Sequence, residues 1–169
     1  EVTSVIKKKK PSFVVFNGHG HYDRIGGHKN EILVKAGENE NLLKSKIVYA
    51  ISCKSAKKLG KESMKAGVLD YIGYDEDFIF VYNPKLVTHP FKDDTVKLFL
   101  DPANEVVISI LKGNSTKMAV ERSQHLFKKN ISKLLSSEAS LEDVNYAKYL
   151  WWDMKHQVRL SEEDHISFS

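Results

Sequence analysis

The chain has 169 residues, 41% of them hydrophobic and 28% charged, with a formal net charge of +4. That size and composition suit one soluble domain with a real core and exclude a disordered chain. No apolar stretch approaches the roughly 20 residues needed to span a bilayer, so no membrane partner is expected.

Residues 1–10 read as the end of an amphipathic helix, with Val2, Val5 and Ile6 at helical spacing and Pro11 as its stop. The run Lys7 to Lys10 lacks the interleaved aromatics of a nucleic-acid surface and reads as a solvated helix end, so no nucleic acid is expected. Phe13-Val14-Val15-Phe16 is a first apolar strand, followed by a Gly-, His- and Asn-rich loop over 17–31 and a short strand or turn at Ile32-Leu33-Val34. Asn41-Leu42-Leu43 begins a single turn that leads into a second strand, Ile47-Val48-Tyr49-Ala50-Ile51.

Next comes a helix over 55–66, with Ser55 as N-cap and Gly67 at the C-terminal cap. Tyr71-Ile72-Gly73-Tyr74 is a third strand, and Phe78-Ile79-Phe80-Val81-Tyr82 its continuation past the acidic Asp75-Glu76-Asp77. The strands over 12–17, 47–52 and 70–74 are expected to lie parallel in one sheet, an α/β core. The remainder reads as helical. A helix over 93–112 is expected to break at Asp101-Pro102, and a second covers 115–136. A third starts at a capping box of Ser140 and Asp143 and carries Val144, Ala147, Trp151 and Met154 on a core face. Val158-Arg159-Leu160 is expected to add an edge strand.

The chemistry concentrates at two strand ends. His19-Gly20 follows the first apolar run, and the single cysteine, Cys53, follows the second. Open α/β sheets present functional groups beyond the carboxyl ends of their strands, so a thiol and an imidazole are expected side by side on one rim. That is the minimum equipment of a cysteine hydrolase. A single cysteine cannot form an intramolecular disulfide, and neither end carries a signal peptide or lipidation motif; a cytoplasmic setting is the expectation.

The order Phe16-Asn17-Gly18-His19-Gly20, then Ala50-Ile51-Ser52-Cys53-Lys54-Ser55, Leu59-Gly60, Ala66-Gly67 and Tyr71-Ile72-Gly73-Tyr74 resembles the clan CD caspase-like cysteine peptidases. The match is closest to the CHAT and gingipain branch and covers about residues 12–82. Ser52 stands where members of that group usually carry Ala. The resemblance implies a three-layer caspase-like α/β fold with a largely parallel sheet and a helical remainder over 91–169. The whole would form a single domain, 1–169, at the C-terminal end of a longer protein whose further domains would be its partners. It also implies a cysteine endopeptidase acting on a protein or peptide substrate without a cofactor or metal, with His19 and Cys53 as a catalytic dyad.

Chemically, a thiol is mostly protonated at neutral pH, and a nearby imidazole takes its proton or supplies one to the departing amine. The backbone N–H groups of Gly20 and Cys53 would form the oxyanion hole. Ser52, Asp75 and Asp77 are the candidate substrate contacts, and carboxylates at that rim would favour a basic residue before the scissile bond.

Two other readings stay open. His19-Gly20-His21-Tyr22-Asp23-Arg24-Ile25-Gly26-Gly27-His28 also resembles the H-x-H-x-D-H signature of metallo-β-lactamase-fold hydrolases, with Arg24 in the place of a metal-binding His and His89 as the downstream ligand. A caspase-like module that only binds a partner is the third.

Overall fold

The computed structural model describes residues 2–89, 92–136 and 140–162, so the extreme ends of the expected ranges lie outside the described residues. These residues form two compact units, one of 2–78 with 157–162 and the other Ile79–His156. The last strand, distant in sequence, belongs with the first unit.

In the first unit, α1 (Val2–Lys9) ends before Pro11 and leads into β1 (Phe13–Asn17). β5 (Ile47–Ile51) and β6 (Asp70–Tyr74) follow later in the chain. β1 pairs with β5 and β5 with β6, all parallel, and β7 (Gln157–Ser161) runs antiparallel on the outer edge of β6. The result is α/β with a mixed, mostly parallel sheet in the order β1-β5-β6-β7. Val48, Tyr49, Ala50, Tyr71 and Ile72 are fully buried, as continuous apolar runs covered on both faces should be. A π-helical turn, Ala56–Gly60, opens α2 (Lys61–Lys65). Ser55 makes no side-chain cap there, and Ala56 and Leu59 enter the core of the sheet.

The segment 17–31 is not a loop. It contains β2 (His19–His21) and β3 (Arg24–Gly26), which join β4 (Ile32–Lys35) in a three-stranded antiparallel sheet. These strands are too short to show alternation. Each of β3 and β4 buries one residue completely, Ile25 and Val34, and these two face each other in register.

The second unit holds α3 (Asp94–Leu111), α4 (Thr116–Leu134) and α5 (Leu141–His156). Phe78–Tyr82 is not a strand. Val81 instead packs against the helical core formed by Phe99, Phe127 and Leu150. α3 runs unbroken through Pro102, whose buried carbonyl accepts the Ser123 hydroxyl of α4 at 2.7 Å. Packing against α4 overrides the local cost of proline. The expected capping box is present: the Asp143 amide donates to Ser140 Oγ at 3.1 Å, and the Ser140 amide donates to the Asp143 carboxylate at 2.9 Å. Trp151, expected in the core, is 48% exposed on the rim of an apolar cavity of about 560 Å³ with Trp152, Val144 and Ile131. The buried stripe of α5 is Ala147, Leu150 and Asp153 instead. No helix among the described residues is long and apolar enough to cross a membrane.

Asp153 is fully buried, accepts the Ile79 amide at 2.8 Å on Oδ1 and leaves Oδ2 without a partner among the described residues. Burial pushes its carboxyl up to about 8, against the opposing pull of the Ile79 hydrogen bond. A folded-state value above the unfolded one contributes stability that is complete below about pH 4 and is lost as pH rises through about 8. Stability of the full chain should therefore fall by on the order of a few kcal/mol between those limits. In urea titrations across this range, Asp153→Asn should flatten the slope and exceed the wild type at alkaline pH. An unchanged slope would assign the pH dependence to another group.

Candidate active site

The site follows from strand register. β1 and β5 pair from Phe13↔Ile47 to Asn17↔Ile51, and the Gly18 amide continues the ladder to the Ile51 carbonyl at 3.4 Å. His19 and Cys53 each lie two residues beyond the last paired position, so the main chain brings them abreast at one end of the sheet. Gly20 is then pressed against the Ser52–Cys53 peptide. A Cβ built on Gly20 would lie 2.2 Å from the Cys53 carbonyl oxygen and 2.4 Å from its nitrogen, a space open to glycine alone. The tip of the β2–β3 hairpin is fastened to the chain after the cysteine, because the Tyr22 carbonyl accepts the amides of Lys58 at 2.9 Å and Leu59 at 3.1 Å.

Cys53 is half-buried. The acidic turn after β6 is tied across it. The Lys54 amide donates to the Glu76 carbonyl at 3.0 Å, Lys54 Nζ pairs with the Asp77 carboxylate at 2.8 Å, and Lys57 pairs with Glu76. The thiol can donate to the Phe78 carbonyl, 3.9 Å away, and the Asp77 carboxylate is a second hydrogen-bond partner within its reach. Burial pushes the thiol pKa up and the Asp77 carboxylate adds to the shift, against the Phe78 hydrogen bond and the positive charge of Lys54. A raised pKa favours the protonated thiol over the thiolate at this position.

The His19 ring is exposed on β2. It lines a cavity of about 530 Å³ with His21, Arg24, Asn30 and Ile32, and Cys53 is not part of that lining. The backbone thus unites the two residues, while their side chains have different neighbours. Catalytic hydrogen bonds are often long or unmade before substrate arrives.

The remaining candidates separate. Ser52 is 2% exposed and its Oγ has no partner among the described residues, which removes its side chain from a peptide-binding surface. Asp77 is neutralised by Lys54, as Glu76 is by Lys57, so the acidic rim offers a basic substrate residue less charge than the sequence suggests. Asp75 is partly exposed in the same turn. For the metal reading, His21 Nδ1 lies 2.9 Å from Asp23 Oδ1, and Arg24 reaches the same oxygen at 3.2 Å. A guanidinium therefore stands against the carboxylate a metal would need. His28 sits in a separate 3₁₀ turn and His89 in the other unit. Among the described residues no group of three or more His, Cys, Asp or Glu side chains converges to hold a metal ion.

Sequence reasoning missed the hairpin that carries His21 and Arg24, and the turn laid over the thiol. The second had a legible trace, since Lys54 and Lys57 match Glu76 and Asp77 in charge and number. Searches of family models, curated proteins and solved structures find no match to this chain.

Because Cys53 is the only cysteine, alkylation by iodoacetamide reports it alone. Its rate should rise with pH to an inflection above the ordinary thiol range of about 8.5. Asp77→Asn should move that inflection downward and speed alkylation at pH 7.5 several-fold. An inflection at the ordinary value, unmoved in the variant, would contradict the environment described for the sulfur.

Proposed function

We propose that this chain is a cysteine endopeptidase of the caspase-like kind, with Cys53 as nucleophile and His19 as general acid and base. The observation that supports it most is the shared register of β1 and β5, which sets both residues at the same height beyond a parallel sheet, with Gly20 against the Cys53 peptide. A catalytic pair drawn from two adjacent strand ends is held by the sheet itself and needs no third side chain to place its backbone.

In this reading a substrate peptide enters over the strand ends and displaces the thiol from the Phe78 carbonyl. The sulfur attacks the scissile carbonyl carbon while its proton passes to His19. The carbonyl oxygen becomes an oxyanion facing the amides of Gly20 and Cys53. His19 then returns the proton to the departing amine, leaving a thioester on Cys53, and water, deprotonated by His19, releases the acid and restores the thiol. The elevated thiol pKa fits proton transfer concerted with attack rather than a standing thiolate–imidazolium pair. The substrate is a protein or peptide.

Cys53→Ala should abolish cleavage of a broad capped peptide library. His19→Ala should lower kcat by about a hundredfold or more, the range of general acid–base catalysis. His28→Ala and His89→Ala should leave it within a factor of about two, the level of surface substitutions remote from the reacting atoms. Cleavage that persists in Cys53→Ala would sink the proposal. A stable chain that binds peptides but cleaves none would favour the interaction module.

A further inference from the structure

The cavity beside His19 has a chemical character of its own. It is lined by His19, His21, Arg24, Gly26, Asn30 and Ile32. Three of these carry or can carry positive charge, the asparagine can donate through its amide, and no carboxylate is among the lining residues. The space exists because Gly26 is the cross-strand partner of His19 and supplies no side chain to fill it. Ile32 contributes an apolar wall.

The basic groups are also held in place. Asp23 is buried in the turn of the hairpin, and its Oδ1 meets both His21 and Arg24, themselves cross-strand partners. The His21 hydrogen bond, with the positive charge of Arg24, keeps the Asp23 carboxyl below its ordinary range, so it stays ionised as an anchor. One guanidinium nitrogen is engaged with Asp23, and an arginine presents five N–H donors in a fixed fork. The side chains of His21 and Arg24 remain 47% and 41% exposed. The hairpin itself is pinned through Tyr22 to Lys58 and Leu59, so the cavity keeps a fixed position beside the strand end that bears His19. On the other side of Cys53 the carboxylates of Glu76 and Asp77 are already matched by lysines.

We propose that this cavity is the subsite that receives an acidic side chain of the peptide substrate, with Arg24 reading its carboxylate. The assignment rests on the peptidase reading, because proximity to His19 is what makes an occupant of the cavity a neighbour of the scissile bond. The methylene stem of Asp or Glu would lie along Ile32, and its carboxylate would meet Arg24, assisted by Asn30. Arg24 acts on specificity and takes no part in proton transfer.

The test uses hexapeptides acetylated and amidated at their ends, with Asp, Glu, Asn, Gln or Lys placed in turn at each position. Wild-type kcat/KM should favour Asp or Glu over the matching amide at one position by about tenfold or more, as expected for a charge-assisted hydrogen bond. Arg24→Glu should reverse that preference toward Lys, and Arg24→Lys should retain it in part. Asn30→Asp, which leaves the Asp23 contacts untouched, should weaken it in the same direction and covers the case in which Arg24→Glu misfolds. Cys53-dependent cleavage with no acidic preference, or a preference unchanged in both charge variants, overturns the subsite and leaves the peptidase reading standing. Binding of the Asp- and Glu-bearing peptides, against their Asn and Gln counterparts, to Cys53→Ala, measured by calorimetry, supplies a readout without turnover. If no peptide is cleaved but binding is lost on Arg24→Glu, the peptidase reading falls and the acid-binding cavity survives; if neither cleavage nor binding occurs, both fall.

Discussion

The contact on which the rest of the site depends is between backbones: Gly20 lies against the Ser52–Cys53 peptide with no room for a methyl group. That approach is possible only because β1 and β5 are parallel and in register to their last residues. A slip of one position would turn every alternate side chain to the other face and part the two strand ends. The placement of His19 and Cys53 is therefore set by hydrogen bonds of the ladder, which are among the least adjustable elements of a fold. Side-chain partners can differ from state to state without moving the residues that bear them.

Two sets of charges stand beyond this end of the sheet. Lys54 and Lys57 meet Asp77 and Glu76 on one side, and Asp23 gathers His21 and Arg24 on the other. Exposed pairs of the first kind are each worth little, about 0–1 kcal/mol. Together with the Lys54–Glu76 backbone hydrogen bond they nevertheless determine which groups face the sulfur. The second set matters more for geometry than for stability, because a buried carboxylate fixes the direction of two exposed bases.

The parallel strands were legible because each is a run of β-branched and aromatic residues bounded by polar ones, and such runs have few other ways to be buried. The same logic overreached at Phe78–Tyr82, where the run is equally apolar but Val81 packs against helices rather than into a ladder. The β2–β3 hairpin was opaque. Three-residue strands show no period, and the His21-Tyr22-Asp23-Arg24 turn lacks the Asn-Gly or Asp-Gly pairs that announce one. Pro102 misled in the opposite sense, since a strong local breaker yielded to the packing of α3 on α4. Trp151 misled because the buried stripe of α5 contains an acid, Asp153, which no hydrophobicity pattern would place inside. The positions of His19 and Cys53 were readable from strand ends alone, whereas their present partners depend on contacts remote in sequence.

The pairing of β6 with β7 joins the two ends of a long excursion of the chain. Tyr74 and Gln157 are neighbours in the ladder and hydrogen-bonded side chain to side chain, although 83 positions separate them. Closing a loop of that size from an unstructured chain carries a large entropic penalty, which grows only slowly with length but must be met before any native contact rewards it. A helical segment that has already condensed brings its own termini into range and removes most of that penalty. Among the strand pairings of this sheet, β6 with β7 thus spans the longest stretch of chain, and β1, β5 and β6 lie much nearer one another in sequence. Replacing 79–156 by a short turn would convert β6 and β7 into an ordinary hairpin, so the topology itself marks the helical segment as a piece inserted between two adjacent strands.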